Sequence, residues 1–212
     1  MKILVLSDIH ANIWALQEVI EKEKAYDRLC FAGDMVDYGI APSQVIEYLR
    51  NVPNALLVQG NHDLHAVKVS QQEDFRNMPA KLYKWIHYNL ERMDREQVEY
   101  LKNLPLHQYF MADGWYYLMQ HQYVQGSYDV IESRNQFEHY WREYTPEEYW
   151  DAPKRRMIFG HSHRQCIHIL GNNMEWINSG SVSYRRPDDP DKTAHYMVIE
   201  NGVVVMLSLI HI

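Results

Sequence analysis

Hydrophobic and polar positions along the first sixty residues switch back and forth between two periods. Lys2 to Ser7 is a short run of branched and apolar residues that reads as a strand, and Asn12 then caps a helix carrying Ile13, Leu16, Val19 and Ile20 on one face. Arg28 to Ala32 is a second strand. Pro42 suits the first turn of a helix presenting Val45, Ile46 and Leu49, and Ala55 to Gln59 is a third strand. Strand, helix, strand, helix, strand predicts a parallel sheet with helices on its faces.

From Leu64 to Asn103 the pattern turns helical, with Pro79 as a start and Asp94 with Gln97 as a capping box. Leu106 to Phe110 and Tyr116 to Gln120 read as strands around the turn Ala112-Asp113-Gly114. Met157 to Phe159 is a further strand. Ile167 to Leu170 and Met174 to Ile177 join at Gly171-Asn172-Asn173, and Tyr196 to Ile199 and Val203 to Leu207 join at Asn201-Gly202. These later antiparallel pieces are expected to build a second sheet facing the first. Residues 123–150 break the pattern: they are crowded with aromatics (Tyr123, Tyr128, Phe137, Tyr140, Trp141, Tyr144, Tyr149, Trp150) at weak periodicity, and read equally as a cap or as an insertion with its own small core.

A chain of 212 residues suffices for one full core. Its net charge of -7 argues against broad nucleic-acid binding, which needs a basic surface, but not against a small phosphorylated substrate, because bound cations reverse the local sign. Cys30 and Cys166 sit in apolar runs and are expected as reduced thiols. No apolar stretch is long enough for a signal-peptide core or a membrane span, so the expectation is a cytoplasmic protein without a membrane partner.

Five polar motifs each directly follow an apolar strand: Asp8-Ile9-His10 after ILVLS, Gly33-Asp34-Met35-Val36-Asp37 after LCFA, Gly60-Asn61-His62-Asp63 after LLVQ, His121 after YYLM, and Gly160-His161-Ser162-His163 after MIF. Each alone is explained by a turn or a helix cap. Together they point elsewhere, because the carboxyl ends of the strands in an open α/β sheet form the crevice where ligands bind. Imidazole nitrogens mixed with carboxylate and amide oxygens suit Mn²⁺, Fe, Ni²⁺, Co²⁺ or Zn²⁺. The absence of Cys from the set argues against a closed structural zinc site, and four histidines argue against an all-oxygen Mg²⁺ or Ca²⁺ cage.

In order and spacing these motifs resemble the calcineurin-like metallophosphoesterase superfamily, over Asp8 to His163, and in particular its small bacterial and archaeal phosphodiesterase branch. Asn178-Ser179-Gly180-Ser181-Val182 is similar to that branch as well. The resemblance implies a single domain over residues 1–212, an α/β fold of four αββα layers in which two facing mixed β-sheets are flanked by helices. It implies two divalent cations, Mn²⁺ first among them. Asp8, His10, Asp34 and His163 would bind the first; Asp34 would bridge to the second, completed by Asn61, His121 and His161. His62 would donate a proton to the leaving group, oriented by Asp37.

The chain departs from the family at three places. Gln122 follows His121 where a Gly is usual, with His87, His107 and His139 as competitors for that ligand position. Tyr38 replaces an Arg common in phosphatases, and Asp63 stands where many of them have Glu. Hydrolysis of a phosphodiester, in a small nucleotide-like or generic substrate, is the first expectation. The alternatives are a phosphomonoesterase, of the Ser/Thr protein phosphatase or dinucleoside polyphosphate hydrolase type, and a non-catalytic binding scaffold. Arg164, Arg185 and Arg186 read either as a phosphate clamp or as a solvated loop beside Asp188, Asp189 and Asp191; Lys154-Arg155-Arg156 reads as a solvated edge. His65, His168, His195 and His211 are expected in structural roles.

Overall fold

A computed structural model of the chain describes residues 1–183 and 193–210. Among these residues ten strands form two five-stranded sheets. The first takes the order β10-β9-β1-β2-β3, built from β1 (Lys2–Leu6), β2 (Arg28–Phe31), β3 (Leu56–Leu57), β9 (Thr193–Glu200) and β10 (Val203–Ile210). The second takes the order β4-β5-β6-β8-β7, from β4 (His107–Ala112), β5 (Trp115–Gln120), β6 (Arg155–Phe159), β7 (Gln165–Gly171) and β8 (Met174–Ser179).

Both sheets are mixed. β1, β2 and β3 are parallel, with β9 antiparallel to β1 and β10 antiparallel to β9. In the second sheet β5, β6 and β8 are parallel, and β4 and β7 flank them antiparallel.

Side chains alternate across each strand, and that alternation sorts the cores. Ile3 and Val5 point into the layer between the sheets, where Cys30, Ala32, Tyr117, Met119, Ile158 and Ile177 meet them. Leu4 and Leu6 face the other way, onto α1 (Ile13–Lys22), α2 (Pro42–Arg50) and α3 (Asn61–Ser70). On the outer face of the second sheet, Leu118, Met157, Phe159 and Trp176 pack against Phe137, Tyr140 and Trp141 of α6 (Arg134–Tyr144). The result is the expected αββα sandwich. Among the described residues no helix is long and apolar enough to cross a membrane.

Local signals explain the boundaries. Asn12 accepts a hydrogen bond from Ala15 N (3.1 Å), Pro42 opens α2, and Asp94 and Gln97 form a reciprocal cap on α5 (Arg95–Lys102). Asn201 (φ 51°) and Gly202 (φ 80°) supply the two positive φ values that a tight hairpin needs.

Three expectations are corrected. The hairpin of β9 and β10 joins the first sheet: β9 pairs with β1, so the chain's last strands extend the sheet its first strand began. Residues 64–103 are helical in separate pieces, as expected, but Pro79 starts no helix. Its carbonyl instead accepts from Leu82 and Tyr83 in a turn, and α4 (Trp85–Leu90) begins later.

Arg155 and Arg156 are buried on β6, not solvated. Arg155 makes a two-pronged pair with Glu138 (2.6 and 2.8 Å). Arg156 donates to Glu175 (2.7 Å), Tyr117 Oη (3.1 Å) and Gly202 O (3.1 Å), and lies 3.9 Å from the centre of the Trp115 ring. A guanidinium tolerates burial when its N–H groups are matched in this way. Arg185, Arg186, Asp188, Asp189, Asp191 and His211 lie outside the described residues.

Candidate metal centre

The parallel arrangement of β1, β2 and β3 sends Asp8, Asp34 and Asn61 out of the same end of the first sheet, and the parallel pair β5 and β6 delivers His121 and His161 from the second. The chain must turn sharply at each exit. Asp8 (φ 55°), His10 (47°), Asp34 (66°), Asp37 (74°), Tyr38 (59°), His161 (65°) and His163 (57°) all occupy the left-handed region, which costs an L-residue roughly 1–2 kcal/mol. Such conformations persist where surrounding structure over-determines them, and they cluster at working sites.

The glycines that precede the motifs have a steric reason. A Cβ on Gly60 would collide with Asp34 Oδ1 and the Asp34 amide, and one on Gly160 would collide with Ser7 Oγ and come within 2.9 Å of Asp8 Oδ2.

The donor atoms converge. Ligand atoms of Asp8, His10 and His163 lie within 4.8 Å of one another, and so do those of Asp8, Asp34 and His121. Asn61 Oδ1 sits 2.9 Å from His121 Nε2 and 2.8 Å from His161 Nδ1. Asp34 Oδ2 lies 3.1 Å from His121 Nε2 and 3.9 Å from His10 Nε2, so this one carboxylate reaches both groups.

Two of the rings are oriented from behind. His10 Nδ1 donates to Val36 O (3.1 Å) and His121 Nδ1 to Ala32 O (2.6 Å), which turns each Nε2 lone pair inward.

Whether a cation suits this set is tested by its unmet polar atoms. Asp8 Oδ1, Asp34 Oδ2 and His161 Nε2 are buried and take part in no hydrogen bond, although His163 Nε2 stands 3.0 Å from the first and His121 Nε2 3.1 Å from the second. Buried polar atoms are rarely left so. Three of them converging among imidazoles fit divalent cations.

The electrostatics agree. Burial pushes the His10 and His161 imidazoles down to about 4, leaving them neutral, as ligands must be. Burial would lower His121 too, but the Asp34 charge and contact override it and push the ring up to about 9; in return His121 helps hold the Asp34 carboxyl well below the usual range. In the cation-free chain a proton on His121 does the neutralising.

Beside this cluster His62 Nδ1 lies 2.8 Å from Asp37 Oδ2, and the His62 and His10 rings are 5.1 Å apart. Burial works against the charged form of His62, but the hydrogen bond to Asp37 and the charge of Asp34 outweigh it and raise the imidazole above its ordinary value.

Two supporting residues escaped the sequence reading. Asp63, fully buried, accepts from the backbone amides of Asp34 (3.0 Å), Met35 (2.8 Å), Val36 (3.3 Å) and Gly60 (2.9 Å), and so fastens the second motif to the third. Asn89, in the last turn of α4, accepts from Asp37 N (2.9 Å) and donates to Gly39 O (2.9 Å), which fixes the turn that aims Asp37. Asp63 was at least inside a recognised motif. No periodicity or spacing marked Asn89.

Among the described residues, none of the rivals for the His121 position joins a group of converging donors. His139 is exposed on α6, His87 is buried and accepts from Lys84 N (3.0 Å), and the His107 ring lies 5.5 Å from that of Tyr144. The Arg164 side chain is exposed beside the last motif. The aromatic segment reaches the site directly, because the Tyr128 ring stacks on His161 at 4.8 Å and 14°.

Comparison with known proteins gives a consistent picture. The calcineurin-like phosphoesterase superfamily domain matches residues 1–202. An uncharacterized protein of Methanocaldococcus jannaschii is 32% identical over 106 residues, which are 49% of this chain and 42% of that protein. The symmetrical bis(5'-nucleosyl)-tetraphosphatase of Coxiella burnetii is 31% identical over 110 residues, 50% of this chain and 36% of that enzyme. The matches thus span less than half the length of these relatives. The crystal structure of a metallophosphoesterase from Sphaerobacter thermophilus superposes with a TM-score of 0.72 at 21% identity, covering 100% of this chain and 89% of that one, a likeness of fold.

Proposed function

Because the chain belongs to the calcineurin-like phosphoesterase superfamily, we propose that it is a metal-dependent hydrolase of phosphodiester bonds. Its centre holds two divalent cations, Mn²⁺ foremost, with Fe, Ni²⁺, Co²⁺ and Zn²⁺ as chemically matched substitutes. The observation that carries the reading is the convergence of Asp8, Asp34 and His161, each with a buried polar atom lacking a hydrogen bond, beside a hydrogen-bonded His62–Asp37 pair. Asp8, His10 and His163 form one side of the centre, Asn61, His121 and His161 the other, and Asp34 stands between them.

Cations bound there would neutralise the phosphoryl oxygens and supply an acidified water as nucleophile. The chain's own residues do the rest. His10 and His121 present lone pairs fixed by carbonyls behind them. Asp37 holds the His62 imidazolium by Nδ1, leaving Nε2–H to protonate the departing oxygen. A positioned general acid of this kind contributes typically about 10²–10⁴-fold, most where the leaving group is a poor one.

Tyr38 supports the preference for diesters, since it stands where an Arg would grip the dianion of a monoester two-pronged. The name of the Coxiella relative favours a second reading, cleavage of a dinucleoside polyphosphate. A non-catalytic scaffold would have no need to keep every donor position filled. The two free cysteines, Cys30 and Cys166, support a reducing, cytoplasmic setting.

Parallel assays of bis-nitrophenyl phosphate, nitrophenyl phosphate and diadenosine tetraphosphate with Mn²⁺, Ni²⁺, Zn²⁺ and Mg²⁺ test the reading. The diester should be turned over fastest, with a transition metal. Faster turnover of the tetraphosphate would select the second reading, and inactivity on all three with metal bound would reject both.

A further inference from the structure

Beyond the two halves of the centre, a third group of donors converges. Asp37, His62 and His65 each offer a ligand atom, and the three atoms lie within 4.8 Å of one another. His62 and His65, three residues apart, share one face of the first turns of α3, and Asp37 reaches them from the turn after β2.

Two of the three are held in place. Asp37 is buried in a turn fixed by Asn89, and the His62 ring packs against those of His10 (5.1 Å) and Tyr38 (4.9 Å). His65 is exposed on the helix, which leaves it free to swing and gives an ion a path from solvent.

Two imidazoles and a carboxylate are a donor set for zinc and its transition-metal neighbours, with water completing the coordination. With bonds of about 2.0–2.1 Å, the donors of a tetrahedral site stand roughly 3.4 Å apart. Asp37 Oδ2 and His62 Nδ1 lie within that span, at 2.8 Å, with a proton between them that a cation would displace. Any remaining movement falls to His65.

The surrounding charges set the strength. Asp37 brings one negative charge, and Lys84 and His87 stand near enough for theirs to act on His65. Such a site fills only after the neighbouring centre, where Asp8 and Asp34 bring two carboxylates.

We propose that Asp37, His62 and His65 form a third, weaker cation site of zinc type, whose filling silences the proton-donating His62. A cation on either nitrogen keeps that ring from becoming imidazolium, so the departing oxygen loses its donor. The silencing rests on the phosphoesterase reading, whereas the cation site stands by itself.

The test titrates Zn²⁺ into the metal-free protein by calorimetry and follows turnover of an alkyl-like diester and of bis-nitrophenyl phosphate as Zn²⁺ rises. The natural protein should take up one equivalent more than His65→Ala, an exposed change that a helix accepts readily. As that last equivalent binds, the alkyl diester rate should fall at least about tenfold and the nitrophenyl rate far less. His65→Ala should escape the fall and otherwise match the natural protein within about twofold. Excess Mg²⁺, which seeks oxygen donors, should cause no such fall. Equal uptake by the two proteins overturns the site, and an alkyl diester rate unchanged by the last equivalent overturns the silencing. Uptake through His65 by a protein that hydrolyses neither ester would keep the site and remove the phosphoesterase reading.

Discussion

His62 Nδ1 and Asp37 Oδ2 are 2.8 Å apart, and the Asp37 turn is itself held by Asn89 through the Asp37 amide and the Gly39 carbonyl. The His62 ring is therefore aimed through a chain of two contacts that begins in α4.

This arrangement makes a prediction about leaving groups. Asp37 raises the His62 pKa, so the protonated, proton-donating form persists to higher pH than in an ordinary histidine. Asp37→Asn removes the charge and lowers that pKa. Its rate on alkyl-like diesters should then fall away at lower pH than in the natural protein. His62→Ala should slow those diesters by about 10²-fold or more and nitrophenyl esters far less. Equal losses on both substrate types, with metal content unchanged, would take His62 out of the acid role.

Asp34 reaches both halves of the donor cluster. Asp34→Asn should therefore bind less of either cation and lose more activity than the roughly 10–100-fold that follows removal of a ligand-orienting partner. Elemental analysis of the purified variant, set against its turnover, checks this. Full occupancy with full turnover would contradict the placement of Asp34 between the two.

Cation uptake should release protons. The cation-free protein keeps His121 charged up to about pH 9, and a metal can use its nitrogen only after the proton has left. Below that pH, affinity should rise with pH, by up to about tenfold per unit for a single displaced proton. Calorimetry in buffers of different ionisation enthalpy would count the protons released, and Asp34→Asn, by lowering the His121 pKa, should reduce that count near neutral pH.

Two buried charges carry stability. Asp63→Asn presents an amide to four backbone donors and leaves some unmet, at a cost of about 1–3 kcal/mol and with loosening of the Asp34 turn. Arg156→Met, which abandons Glu175, Tyr117 Oη and Gly202 O, should cost roughly 2–3 kcal/mol, and Arg156→Lys should recover only part of it. Denaturant unfolding of these three variants would measure each cost, and a change under 0.5 kcal/mol, the ordinary range for a surface site, would mean the burial is energetically idle.

Strand periodicity alone located β1, β2 and β5 and the polar residues just beyond them, because a strand announces its face every second residue and a turn announces itself by Gly, Asp and Asn. Those local rules put Asp8, Asp34 and His121 at strand ends, and parallel order put the ends together. They were silent on which sheet a strand enters. The alternation in residues 193–210 is the same in either sheet, and pairing of β9 with β1 is decided by packing between segments nearly two hundred residues apart.

The same division runs through the side chains. Donor types and their positions after apolar runs are properties of the chain as written, since sterics and hydrophobicity act over a few residues. The burial of Arg155 and Arg156, the grip of Asp63 on Asp34, the aim of Asn89 at Asp37 and the seat of Tyr128 on His161 arise between residues whose neighbourhood exists only once the chain is folded. A charge or an amide is read as solvated until its partners are known, and partners are set by tertiary contact.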